Sequence, residues 1–232
     1  MKTVRKLHRW LGLVFSLSLL MSAGSGVIHN VMTYTQAPPP PARPSGGELD
    51  ASKIVIPVAE ALARLPGHGT VQAVNLRGIQ GEPWYQIYRN DSPRPYYVSA
   101  VDGRIDPGQD ERYAAQIASA FLGGAPVRKS DYLTAFNSEY LAIFRVLPVY
   151  RFDLDDALKT RVYVSTTTGS VTRHTDKHRQ LEANLFTNFH KLGFIPNKTV
   201  RDVVLTLTTG GMFVAALLGI VLFFLTGKRR RS

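Results

Sequence analysis

Two long apolar stretches without a charged residue, one near each end, constrain this sequence more than any other feature. The first, WLGLVFSLSLLMSAGSGVIHNV, runs from Trp10 to about Val31, and no charge follows before Arg43. The second runs from Val203 to Gly227 and contains MFVAALLGIVLFFL. Each meets the roughly 20 apolar residues needed to cross a bilayer. The first also resembles a signal peptide, with a basic start and the small residues SAGSG near its end. Its apolar run exceeds the usual length of roughly 7–15 residues, so a retained helix is the favoured expectation.

Charge placement supports two spans. Lys2, Arg5, Lys6 and Arg9 precede the first stretch, and Lys228, Arg229, Arg230 and Arg231 follow the second. Cations flanking a span favour the cytoplasm. Both ends are therefore expected inside, and residues ~34–202 outside, in the periplasm of a Gram-negative cell. The net charge of +11 comes mostly from these clusters, because the remaining 20 cations face 17 anions. A nucleic-acid partner is not expected. The chain has no cysteine, which excludes disulfides, thiolate metal sites and covalent haem attachment.

The middle opens with QAPPPPARPSGG, a stiff spacer over residues 36–47. An internal repeat follows. Tyr97-Val98-Ser99-Ala100-Val101-Asp102-Gly103-Arg104-Ile105 aligns with Tyr163-Val164-Ser165-Thr166-Thr167-Thr168-Gly169-Ser170-Val171, 66 residues later. Pro83-Trp84-Tyr85 aligns with Pro148-Val149-Tyr150, 65 residues later. Each copy alternates as two strands across a polar turn, with a Gly after the second strand where positive φ is needed. A helical segment precedes each hairpin, Val58–Leu65 in one copy and Asp110–Leu122 in the other, with Asp110 as expected cap. A short strand near VQAVNLRG sits between helix and hairpin. The expected fold is membrane-anchored α+β, a duplicated helix-plus-antiparallel-hairpin unit between two transmembrane helices, with helices on one face of the sheet.

The stretches KLHRWLGLVFSLSLLMSAGSG, YVSAVDGRI, FRVLPVYRFDLDDALKTRVYVSTTTGSVTRH and LFTNFHKLGF resemble, in that order, the PepSY-associated transmembrane family. The resemblance covers nearly the whole chain. It divides the chain into a basic N-terminus (1–9), a first membrane helix (10–33), a Pro-rich linker (34–48), two PepSY-like units (49–108 and 109–178), a juxtamembrane amphipathic helix (179–200), a second membrane helix (203–227) and a basic tail (228–232). It implies a bacterial inner-membrane protein. Larger members include ferrisiderophore reductases with at least four helices and b-type haem on membrane histidines. PepSY units elsewhere regulate or inhibit peptidases. Two spans make a complete electron path across the membrane doubtful for one chain.

Histidines are the candidate cofactor ligands. His8 and His190 fall in the family-like motifs HRWLG and NFHKLG, and His29 lies near the outer end of the first helix. His8 and His29 are 21 residues apart, so about 31 Å along a helix, too far to share one haem. His29 with His190, or His8 with a second subunit, could hold haem b in a bis-His arrangement. His174 and His178 have i, i+4 spacing, but without a third ligand a solvated turn is favoured over a metal site. Asp153, Asp155 and Asp156 read as turn residues. Trp84, Tyr85, Tyr88, Tyr96 and Tyr97 read as sheet core, with any exposed subset a binding face. In LEANLFTNFHKLGF, Leu181, Leu185, Phe189 and Leu192 form one apolar line of a surface-lying helix, a helix buried on the sheet being the alternative. The small residues Gly211, Ala215 and Gly219, with Ser22 and Gly26, are spaced for a packed helix pair, another membrane subunit or a homodimer. No catalytic residue stands out. The favoured expectation is a binding or regulatory module beside iron or siderophore uptake, with a siderophore or a periplasmic protein as ligand. The alternatives are a small haem-bearing reductase subunit and a peptidase inhibitor.

Overall fold

A computed structural model describes residues 2–36 and 47–227. The basic tail and most of the Pro-rich linker lie outside the described residues. The chain divides into two compact units, one of residues 1–38 with 178–232 and the other of residues 39–177.

The first unit is helical. Helix α1 spans Lys2–Thr35 and helix α5 spans Lys198–Gly227. Both are long and apolar enough to cross a membrane. Each extends beyond its charge-free run, because a helix satisfies its own backbone in lipid and at the interface alike. The two helices pack through small residues. A side chain at Gly211 would meet the Phe15 ring, and one at Gly219 would meet His8. The Gly211–Ala215–Gly219 stripe therefore faces α1 of the same chain, which makes the packed pair the observed use of that spacing.

Helix α4 (Lys177–Leu185) runs into a π-helical turn, Phe186–His190. This segment packs on α1 through Phe186 and His190, while Leu181 and Phe189 of the apolar line stay exposed. That exposure leaves the line free for a membrane surface and differs from the alternative of a helix buried on the sheet. The π turn shifts the register after Leu185, which brings Phe186 and His190 round to α1.

The second unit is α+β. After helix α2 (Val58–Ala63), strands β1 (Val71–Ile79), β2 (Glu82–Arg89) and β3 (Tyr96–Ser99) form an antiparallel sheet in that order. After helix α3 (Gln109–Phe121), strands β4 (Arg128–Leu133), β5 (Val149–Asp153), β6 (Arg161–Ser165) and β7 (Ser170–Thr175) form another. The duplication is visible in register. Val98 bridges Ile105 in the first copy, and Val164 pairs with Val171 in the second. Gly103 and Gly169 turn the chain at equivalent points with φ of 76° and 65°. The second copy extends that single bridge into β7, a strand in the polar stretch expected to be a turn. His174 accordingly sits in a strand and His178 in a helix, so they share no helical face.

Burial differs from a sheet covered on one face. Alternate residues of β2 point opposite ways. Tyr85 and Ile87 pack with Ala61 and Leu65 around α2. Trp84 joins Tyr97, Ile117 of α3, and Phe152 and Val164 of the second sheet in a common core. None of the five aromatics of the first hairpin is exposed, so they offer no aromatic binding face.

A polar chain runs through this core. Gln86 Nε2 donates to Thr166 O (3.0 Å) and Tyr97 Oη (2.7 Å). Tyr97 Oη donates to Asp110 Oδ1 (2.7 Å), and Tyr150 Oη donates to Asp110 Oδ2 (2.9 Å). Asp110 is not the cap of α3. Gly108 holds that position, and the Asp110 side chain turns inward to collect a phenol from each sheet. Burial, reinforced by Asp110, holds the Tyr97 and Tyr150 phenols well above the ordinary value of 10. A raised folded value stabilises the fold below the unfolded value and is lost as pH rises past it. Urea stability of the full chain should therefore be flat up to about pH 10, where unfolded tyrosines ionise, and fall above it. Phenolate absorbance from Tyr97 and Tyr150, isolated by difference against their Phe variants, should appear only with unfolding, and ionisation of these phenols in the folded protein would contradict the assignment.

Candidate functional site

In the α+β unit, β4, β5, β6 and the β5–β6 turn enclose a groove of about 800 Å³, within the range of small-molecule sites. Arg128, Arg151, Lys159 and Arg161 line it, with Asp153, Asp155 and Asp156. These residues come from separate strands and one turn, brought together by the β4–β5–β6 register that pairs Arg128 and Arg161 with Asp153.

The charges divide into spent and unspent. Arg151 Nε donates to Asp153 Oδ1 at 3.0 Å, and Arg161 donates to Glu139 at 2.5 Å. Asp156 accepts from the Thr160 N–H and hydroxyl; although burial opposes it, these bonds keep the carboxyl below its ordinary value. Asp153 and Asp156 thus serve as pairing and turn residues, while Asp155 is exposed and forms no ion pair among the described residues. Arg128 is different, because its side chain is 79% exposed and reaches Asp153 only at 3.8 Å. Lys159 is exposed and forms no ion pair among the described residues. Arg161 Nε is buried without a hydrogen-bond partner. The groove therefore holds two available cations, Arg128 and Lys159, and one orphaned donor against one unpaired carboxylate, Asp155, a balance that still favours oxygen-rich anions.

The helical unit places the three candidate histidines separately. His8 Nδ1 lies 2.9 Å from Ala215 O. A carbonyl only accepts, so His8 carries its proton on Nδ1. His29 Nδ1 lies 2.6 Å from Glu182 Oε1, an ion-pair distance without the angle of a hydrogen bond. Thr33 and Gln36 also donate to Glu182. His190 Nδ1 lies 3.3–3.4 Å from Ser22 O, Ser22 Oγ and Ser25 Oγ. Phe186 packs on both His29 and His190, with ring centroids 5.0 Å and 4.6 Å away.

The sequence model of the PepSY-associated TM region family matches residues 5–232. The chain belongs to this family. Comparison with curated proteins and with solved structures finds no match.

Whether this PepSY-associated chain fits a haem can be tested on the histidines. Both imidazoles that could share one iron are packed on the Phe186 ring. The cavity beside His190, lined by Ser18, Met21 and Thr208 among others, measures about 30 Å³, space for a water or two. The arrangement does not fit a bis-His haem between His29 and His190. Any Soret band of the full chain purified in mild detergent is therefore expected to survive His190→Ala, and a Soret band abolished by that change would contradict this.

Glu182 was not singled out in the sequence. Its signal was present, since it is an acidic residue inside LEANLF, beside an apolar line. Arg128, Lys159 and Arg161 carried no local signal, because isolated cations in strands and turns are ordinary surface residues. Among the described residues no cluster of three potential metal ligands occurs.

Proposed function

We propose that this PepSY-associated membrane protein is an inner-membrane binding module, with both termini cytoplasmic and residues ~34–202 outside, working beside iron or siderophore uptake. It acts by binding and not by catalysis. The topology rests on the flanking cations, and the link to iron rests on the family resemblance. The observation that carries the binding reading is the 800 Å³ groove with Arg128, Lys159 and the orphaned Arg161 Nε. Those donors suit a small anion presenting several oxygens, such as a carboxylate-bearing ferric chelate. Titration of the full chain in detergent with ferric citrate is expected to saturate. A neutral ferric hydroxamate of similar size is expected to bind at least about tenfold more weakly, since each charge-assisted contact is worth about 1.5–3 kcal/mol. Equal binding of the two, or none of either, would overturn the reading.

A further inference from the structure

The connection between β4 and β5, residues 134–148, carries exposed apolar side chains on a well-braced support. Tyr140 forms that support. It is 0% exposed, and its ring packs on Phe136, Phe144 and Tyr163, with centroids 6.0, 5.1 and 4.9 Å away. Its hydroxyl lies 3.0 Å from Val146 O and 2.9 Å from Thr172 Oγ1. Asn137 Oδ1 accepts from the N–H groups of Glu139 and Tyr140, which closes the turn before it. A 3₁₀ turn, Ala142–Phe144, follows and ends at Arg145, in the left-handed region at φ 58°.

On this support Phe136, Leu141 and Ile143 stay 39%, 38% and 71% exposed. Local packing therefore holds three large apolar groups in water, an arrangement that marks an interaction site. The loop carries two charges. Glu139 is engaged by Arg161 and the Tyr163 hydroxyl, whereas Arg145 is exposed and forms no ion pair among the described residues. The outward surface is thus apolar with one cation. The loop also leans on β7, through Thr172 and through Phe144, whose ring lies 4.9 Å beneath Arg173. Strand β7 ends at Thr175, and the unit containing both spans resumes at His178. Two residues of chain therefore tether this sheet to the part that a bilayer holds. The tether gives lipid a high effective concentration beside the loop, which favours lipid over a freely diffusing protein.

We propose that this loop inserts shallowly into the membrane surface, with Ile143, Leu141 and Phe136 at the boundary between headgroups and acyl chains and Arg145 on lipid phosphate. Aliphatic and aromatic side chains suit that depth, and an arginine reaches back to the headgroups while its stem stays in the apolar layer. The proposal rests on the two spans and not on the anion-binding reading of the groove.

The chain has no cysteine, so a single introduced one reports accessibility to a membrane-impermeant, sulfonate-bearing thiol reagent. Ile143→Cys is compared with Val55→Cys, a position 67% exposed and apart from this loop. The two exposures are similar, so without a membrane contact both should react alike. The full-length protein is placed in nanodiscs of phosphatidylethanolamine and phosphatidylglycerol, one chain per disc. There Ile143→Cys should react about tenfold more slowly than Val55→Cys, because burying Leu141 and Phe136 holds the loop down by about that factor. Adding Leu141→Asp or Arg145→Glu should each speed the reaction at position 143 and leave that at position 55 unchanged, a contrast that misfolding cannot mimic. The proposal is overturned if Ile143→Cys reacts as fast as Val55→Cys, if its protection appears only in discs holding two chains, or if either added substitution leaves the protection intact.

Discussion

Asp110→Ala is expected to lower the stability of the α+β unit by about 2–5 kcal/mol, the cost of leaving two buried phenol donors without an acceptor. Asp110 is 4% exposed and accepts one phenol on each oxygen, Tyr97 from the first sheet and Tyr150 from the second. Without it both O–H donors lie buried without an acceptor, at about 1–3 kcal/mol each, although Tyr97 Oη still accepts from Gln86 Nε2. Both tyrosines are almost fully buried, at 1% and 3% exposure, which keeps water from replacing the carboxylate. Tyr97→Phe and Tyr150→Phe should cost less, about 1–2 kcal/mol apiece, since each leaves the carboxylate one donor. Urea unfolding of the full chain in micelles, followed by the emission of Trp84 in the same core, measures this. An Asp110→Ala loss below that of Tyr97→Phe would show that the network does not join the sheets.

The second large effect lies in the helical unit. A Cβ at Gly211 would stand 2.2 Å from the Phe15 ring. Gly211→Leu should therefore force α1 and α5 apart at a cost of about 1–3 kcal/mol, the usual toll of overpacking. Phe15→Ala in the same chain should restore part of it, because the small residue then lies on the other helix. The native chain has no cysteine, so one introduced on each helix takes a donor and acceptor dye without background. Detergent-driven loss of energy transfer should shift to lower SDS in Gly211→Leu and partly back in the double variant. An unshifted curve would mean that the close approach of the two helices is not what holds them.

Parts of this architecture were legible because they are local. Charge-free apolar runs mark spans, and alternation with a following glycine marks the hairpins, so Tyr97–Ile105 and Tyr163–Val171 could be aligned before any coordinates. The role of Asp110 was not legible. Its position at the start of a helix suggests a cap, whereas its partners lie 13 and 40 residues away. Strand β7 was missed because RHT reads as polar, and only pairing with β6 makes a strand of it. The groove was invisible for a related reason, since Arg128, Lys159 and Arg161 converge only once β4, β5 and β6 are in register.

The binding reading stands or falls on those cations. The most direct measurement is the affinity of the full chain for ferric citrate in wild type and in Arg128→Glu/Lys159→Glu. Both side chains are exposed, so the variant should fold with unchanged urea stability. The account predicts weakening by more than about a hundredfold, equivalent to two charged contacts, and partial recovery in high salt as repulsion is screened. Unchanged affinity in a folded double variant would contradict it.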